Sequence, residues 1–305
     1  MNLIAQILHA LKLLWFTSRE EKNKALREAV KTGDSSGVKL LLACGAEACM
    51  KIIDGWQPLH YAARDGYREV AEALVAGGAR VDARDDYSDQ PVHHAARFGH
   101  RNVVEFLLEK GAAPDASGRS GMQPIHRAAE TGHKDVVELL LEKGTALDVP
   151  GMYGMQPLHH AAEMGHKDVV ELLLEKGAAL DVPGMDGMQP LHHAAENGHK
   201  EVAGLLIGHG APVDAADRYG MRPLHWAAGN GCMEMVKLLL EHGADPALLN
   251  NKMHKPADFC KNPDIRALLQ KAEQERSLAQ KRKDWAAMHA RQRKLASLRP
   301  KGPSL

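Results

Sequence analysis

Rings are scarce in this chain. Four tryptophans, five tyrosines and four phenylalanines stand among 305 residues, too few to organise one deep aromatic core, whereas aliphatic residues are plentiful enough for many small ones. Cysteine is equally rare: Cys44, Cys49, Cys232 and Cys260 show no CxxC or other paired spacing. They are expected as reduced thiols of a cytosolic or nuclear protein. Net charge is zero, and no nucleic-acid partner is expected. The one markedly apolar run, NLIAQILHALKLLWF near the N-terminus, is too short for a bilayer, has no basic residues before its apolar core and ends in no small-residue cleavage site. Neither a membrane span nor a secretory signal is expected there. Catalytic signatures are missing as well. No Gly-rich phosphate loop follows a strand, no GxSxG occurs, and no nucleophile stands apart from its copies, so neither an enzyme nor a bound cofactor is expected.

What the chain has is repetition. Pro58, Pro91, Pro124, Pro157, Pro190, Pro223 and Pro256 follow one another at 33-residue intervals without a slip. Around the first six the text reads QPLHYAA, QPVHHAA, QPIHRAA, QPLHHAA, QPLHHAA and RPLHWAA. Proline at the first helical position has its φ preset and no amide hydrogen to leave unpaired, so each one starts a helix. In the copy from 151, Leu158, Ala161 and Ala162 make a short apolar face and Gly165 stops the helix. Val169, Val170, Leu173 and Leu174 then fall at helical spacing before Gly177, which gives a second, antiparallel helix. The Gly-, Pro- and Asp-rich stretch AALDVPGMYGM reads as a turn or hairpin finger. Helices of two turns are not stable alone in water, so each unit must bury its face on the next.

This pattern resembles the ankyrin repeat, whose period and T-P-L-H-x-A signature it follows over roughly residues 23 to 271. The resemblance implies an all-α solenoid of helix-turn-helix units with hairpin or turn fingers. It also implies a concave groove, lined by fingers and first helices, where partners usually bind. About eight units are expected, counting a degenerate first one in which Ala25 stands where the proline would be, and a truncated last one cut short by Pro263. Gln57, Gln90, Gln123, Gln156 and Gln189, and then Arg222, replace the threonine that closes the finger in the family, so the finger geometry is the departure to watch.

Comparing copies separates scaffold from variable surface. Residues 118–150 and 151–183 differ at six positions, four of which (119/152, 120/153, 127/160 and 131/164) fall on the finger or the solvent side of the first helix. Collecting such positions gives the expected partner-binding surface. Trp56, Met122, Met155, Met188 and Met221 stand at the finger tips, with Tyr87, Tyr153 and Tyr219 flanking them. Tyr61, Phe98, His160, Met164 and Trp226 lie on the first helices. Methionine there reads as adaptable apolar surface; the competing reading is filler packed between fingers. The recurrent histidines do not suggest a metal site, because equivalent residues of stacked units sit about 8–10 Å apart, against zinc–nitrogen distances of about 2.0–2.1 Å. They are expected to hydrogen-bond local backbone. Asp82, Asp115, Asp148, Asp181 and Asp214 read as turn caps.

The ends differ from the middle. From Lys271 on, ten Lys or Arg face three acidic residues, a charge of +7 that leaves −7 for residues 1–270. A basic, partly helical or disordered tail over 272–305, with Leu278, Trp285, Met288, Leu295 and Leu298 near one face, could meet an anionic membrane or a calmodulin-like protein. Residues 1–22 carry the stripe Ile4, Ile7, Leu8, Leu11 and Leu14, read as an amphipathic helix that shields the end of the stack or docks elsewhere. The expected whole is a monomeric, non-enzymatic scaffold or adaptor that grips a protein in its groove. The alternative is a peripheral membrane adaptor that uses both amphipathic ends.

Overall fold

The computed structural model describes residues 18–297. The stripe from Ile4 to Leu14 lies outside the described residues. Within them every regular element is helical. Helix pairs follow the proline period: Pro58–Arg64 with Arg68–Ala76, Pro91–Arg97 with Arg101–Glu109, Pro124–Thr131 with Lys134–Glu142, Pro157–Met164 with Lys167–Glu175, Pro190–Asn197 with Lys200–Gly208, and Pro223–Gly229 with Met233–Glu241. First helices stack on first helices and second on second, giving an inner and an outer layer.

Residue size sets the spacing of the inner layer. Ala95, Ala96, Ala128, Ala129, Ala161, Ala162, Ala194 and Ala195 are all fully buried, and their single methyl groups let successive helices approach closely. The outer helices contribute the larger aliphatics: Val169, Val170 and Leu173 are fully buried. Together these residues make one continuous core that runs from Leu26 to Leu269. The Gly165 turn shows why a glycine is needed between the layers. Its φ is +76°, and a Cβ there would stand 2.5 Å from Nδ1 of His199, whose ring packs on it from the next unit.

Both ends depart from the repeat. The first unit opens with a longer helix, Arg19–Lys31, started by a capping box in which Glu21 accepts from the Ser18 amide at 2.7 Å and the Ser18 hydroxyl accepts from the Glu21 amide at 3.2 Å. At the other end Pro256–Phe259 is a single turn, and Pro263 does not shorten a helix but starts one, Pro263–Ser297. Its first turns are anchored by buried Ile265 and Leu269. The cap and the basic segment are therefore one element that crosses position 271–272 without a break, where the sequence pattern suggested a boundary.

Because each unit is stable only against its neighbours, a central truncation acts on three units at once. Leu173→Ala should lower stability by about 2–5 kcal/mol. Hydrogen exchange should show faster amides in the units on either side than in the terminal ones, and uniform protection loss along the stack would contradict this.

Candidate functional site

The groove is built on one recurrent device at the start of each inner helix. Proline leaves the N-terminus without a donor at its first position, and the glutamine before it does not cap with its side chain. Instead the ring of the third helical residue turns back. Nδ1 of His60, His93, His126, His159, His192 and His225 accepts from the amide of Gln57, Gln90, Gln123, Gln156, Gln189 and Arg222 at 3.0–3.1 Å. That fixes the tautomer, so Nε2 carries the hydrogen. In five of the six rings it is donated to the following unit's finger: His93 to the Ala116 carbonyl at 2.9 Å, His126 to Val149 at 2.9 Å, His159 to Val182 at 3.0 Å, His192 to Ala215 at 3.1 Å and His225 to His254 at 3.1 Å, whereas Nε2 of His60 is buried without a partner. A second set points the other way: Nε2 of His100, His166 and His199 binds the Arg64, Glu130 and Glu163 carbonyls of the preceding unit at 2.8–3.0 Å. The local backbone bonds expected from sequence are thus partly replaced by bonds between units. Burial disfavours the imidazolium, and it pushes His60, His126 and His159 down to about 4.

The fingers come in two chemistries. Where Asp85 or Asp217 stands at the base, one carboxylate oxygen accepts two finger amides, from Tyr87 and Asp89 or from Tyr219 and Met221, at 2.8–2.9 Å. The other oxygen takes a ring N–H of the inner helix, His94 at 3.0 Å or Trp226 at 3.1 Å. Where Gly118, Gly151 or Gly184 replaces the aspartate, the base has no acceptor side chain. Arg127 reaches back to Asp89 at 3.2 Å, while Nε2 of His160 and of His193 is buried without a hydrogen-bond partner. Burial, followed by neighbouring imidazoles, pushes both rings down to about 3.

The residues expected to bind partners divide sharply by exposure. Tyr87, Phe98, Tyr153, Met164 and Tyr219 are exposed, from 47% for Phe98 to 62% for Tyr153. Trp56, Tyr61, Met221 and Trp226 are half-buried. Met122, Met155 and Met188 are not open surface: each is about 95% covered. The Met122 sulfur lies 3.1 Å from where a Gly151 Cβ would be, and the Met155 Cγ 3.2 Å from that of Gly184. These methionines fill the seam between consecutive fingers, which corrects the reading of them as adaptable surface. His160 is likewise buried. Two clusters form among the rest. Trp56 meets Tyr61 edge-on at 4.9 Å and His94 at 4.3 Å, with the Arg64 guanidinium over both the Trp56 and Tyr61 rings. At the far end Tyr219, Met221 and Trp226 surround a cavity closed by Phe259, a residue the repeat pattern gave no reason to select.

One charged position was also overlooked. Residues 64, 97, 130, 163 and 196 are equivalent, and they read Arg, Arg, Glu, Glu, Glu. Arg64 is neutralised by Asp65 through two bonds of 2.6 and 2.8 Å, and Glu130 contacts Arg127 at 3.4 Å. Burial and then the neighbouring carboxylate, Glu130 for Glu163 and Glu163 for Glu196, raise both of these acids above the usual carboxylate range. The signal was available in the aligned copies as a change of sign at one period. Among the described residues no group of three or more His, Cys, Asp or Glu side chains is placed to hold a metal ion, and no helix is long and apolar enough to cross a membrane.

Comparison with known proteins agrees with this architecture. The family described as ankyrin repeats (3 copies) matches residues 26–118, 113–183 and 179–250. Protein phosphatase 1 regulatory subunit 27 of Mus musculus is 38% identical over 83 residues, 27% of this chain and 54% of that protein. The Homo sapiens protein of the same name is 45% identical over 62 residues, 20% of this chain and 40% of that protein. The chain thus spans about half the length of the curated relatives it matches. The crystal structure of the human ASB11 ankyrin repeat domain superposes with a TM-score of 0.67 at 31% identity, covering 73% of this chain and 99% of that one.

The buried imidazoles make stability depend on pH with a definite sign. Unfolded histidines take up protons near pH 6.5, whereas His60, His126, His159, His160 and His193 resist protonation in the fold until about 4 or 3. The stability they contribute is whole above pH 6.5 and is lost as the pH falls from there towards 3. Thermal melts should show Tm dropping between pH 6.5 and 5, where ordinary carboxylates barely titrate. His160→Leu should make that slope shallower at little cost at pH 7.5, since it removes an unpartnered nitrogen. His159→Leu should be destabilising at every pH, and equal behaviour of the two variants would sink this assignment of roles.

Proposed function

The chain belongs to the ankyrin repeat family, and from that premise we propose that it is a non-catalytic adaptor which holds a partner protein in its concave groove. The observation that carries this reading is the confinement of exposed large apolar side chains in the stack to positions that stacking leaves free. Tyr87, Phe98, Tyr153, Met164 and Tyr219 are open to water, while the outer-helix aliphatics Val103, Leu107, Val136, Leu140, Val169 and Leu173 are buried. Aromatic and methionine side chains are the ones that protein interfaces favour at their centres. Protein phosphatase 1 is the first partner to test, because both curated relatives carry that enzyme in their names. The reading places a monomeric scaffold in the cytosol or nucleus, with no cofactor.

A second contact is favoured by the long terminal helix. Beyond Glu275 it runs exposed, with Leu278 at 55%, Trp285 at 62% and Met288 at 51% open to solvent, beside Lys281, Arg282 and Lys283. A basic helix with an aromatic anchor suits an anionic lipid surface or a calmodulin-like groove.

Tyr153→Asp combined with Met164→Asp should abolish capture of purified protein phosphatase 1, or of whatever partner is recovered by affinity mass spectrometry, with Tm unchanged within a few degrees. Exposed substitutions usually shift stability by less than about 0.5 kcal/mol. Met155→Asp should instead lower Tm markedly, because it places a carboxylate in a dry seam. Undiminished capture by the double variant would remove the groove from consideration. For the helix, vesicles containing phosphatidylserine should float the full chain at low salt, and Trp285→Asp should not float. Equal recovery of the two proteins would dismiss the lipid contact.

A further inference from the structure

The groove is electrically uneven, and the imbalance lies beside an apolar cavity. In the N-terminal half the arginines are largely answered from within: Arg64 by Asp65, and Arg127 by Asp89 and Glu130. In the C-terminal half Glu163 and Glu196 stand in a row on adjacent inner helices, and among the described residues neither carboxylate has an ion-pair partner. The next position of the row is Gly229. It carries no side chain to cover the cavity beyond, and a Cβ there would already touch Phe259 at 3.7 Å. That cavity, about 330 Å³, lies between two consecutive fingers and is lined by Tyr219, Met221, Trp226 and Phe259, with Asn250 and Lys252 of the second finger. It is at the lower end of ligand-pocket volumes, about 300–1,000 Å³, so it suits one large side chain and not a whole cofactor.

We propose that this half of the groove recognises a cationic segment of a partner protein, with Lys or Arg lying along Glu163 and Glu196 and one large apolar side chain seated in the cavity between the Tyr219 and Asn250 fingers. The proposal rests on the groove reading above and deepens it by naming the chemistry and direction of the ligand. Charge complementarity carries the choice. Two half-covered carboxylates that repel each other gain from an approaching cation in a way that no group among the described residues supplies. Exposed Lys252, on the finger beyond the cavity, sets the polarity: its positive charge disfavours a cation past the cavity, so the basic residues must lie on the Glu196 side. Electrostatic complementarity of this kind fixes register and excludes wrong partners more than it raises affinity.

The repeat supplies its own controls. Arg64 and Arg97 already occupy the position of Glu163 and Glu196 in earlier units, so Glu163→Arg with Glu196→Arg should fold. His94 already occupies the position of Trp226 and bonds to Asp85, so Trp226→His should keep the bond to Asp217 while removing most of the ring from the cavity. Short random peptides displayed on phage, selected on the full chain, are the probe. Expected is a pool enriched in Lys and Arg next to a Leu, Phe, Met or Trp. Individual peptides should bind the double arginine variant roughly tenfold more weakly or worse, and Trp226→His should lose the apolar preference while keeping the cationic one. Enrichment without a basic bias, or a bias that survives charge reversal, overturns this proposal and leaves the groove reading standing. Absence of any enrichment on either protein overturns both. Sedimentation velocity on the full chain adds one more check: concentration-dependent association that vanishes in the double arginine variant would mean that the basic helix of a second copy is the occupant, and would overturn the assignment to a partner protein.

Discussion

A neutral imidazole held in the seam between two units is the contact on which the rest of this structure depends. The inner helices are too short to hold their own ends together, and the glutamine that precedes each proline leaves the helix start uncapped by its side chain. The histidine one turn in accepts from that backbone amide and, with its other nitrogen, donates to the finger of the next unit. One ring therefore closes a helix and fixes the rise to its neighbour. Only the uncharged form can do this, since an imidazolium would have no lone pair for the amide. The same burial that makes the ring useful makes its protonation costly.

The finger chemistry follows from what is left after that contact is made. An aspartate at the finger base satisfies two amides and one ring donor, and the chain uses this arrangement towards both ends of the stack, at Asp85 and Asp217, with Asn250 accepting two finger amides in the same way. The three middle units have glycine instead, and two of these fingers, at Gly151 and Gly184, close down on the methionine of the finger before. At the finger bases the middle is consequently packed by dispersion and shape, with the His160 and His193 rings each left with an orphaned nitrogen, whereas Asp85, Asp217 and Asn250 hold their fingers by directed bonds. Groove residues near the aspartate-type fingers are correspondingly the more organised, as the Trp56 and Trp226 surroundings show.

Much of this was legible in the sequence because the proline interval, the alanine pairs and the glycine stops each answer to a local rule. The helices, their layers and the stack follow from those rules together with the impossibility of burying one short helix alone. Methionine was the misleading case. A position that recurs every 33 residues can be repeated because it packs on its copy or because it lines a surface, and periodicity treats both alike. The identity of Met122, Met155 and Met188, when the finger positions two and three residues before them vary, was itself the mark of packing. Histidine failed differently: its spacing is local, but its second bond crosses to another unit, which only the stacked geometry shows. Phe259 belongs to the shortened last unit, where the motif has already lapsed. Pro263 was read as a stop because proline ends helices from within, yet at the first position it starts one.

The terminal helix, Pro263–Ser297, has 35 residues, and at about 1.5 Å per residue it is a rod of about 52 Å rooted in the last unit by Ile265 and Leu269. A flexible chain of that length would let anything bound to its tip sample the groove, raising the local concentration of one partner near the other. A rod does the opposite. It sets a separation and a bearing, so two molecules held at its two ends are kept apart at a fixed distance, and any tilt at the root is magnified at the tip.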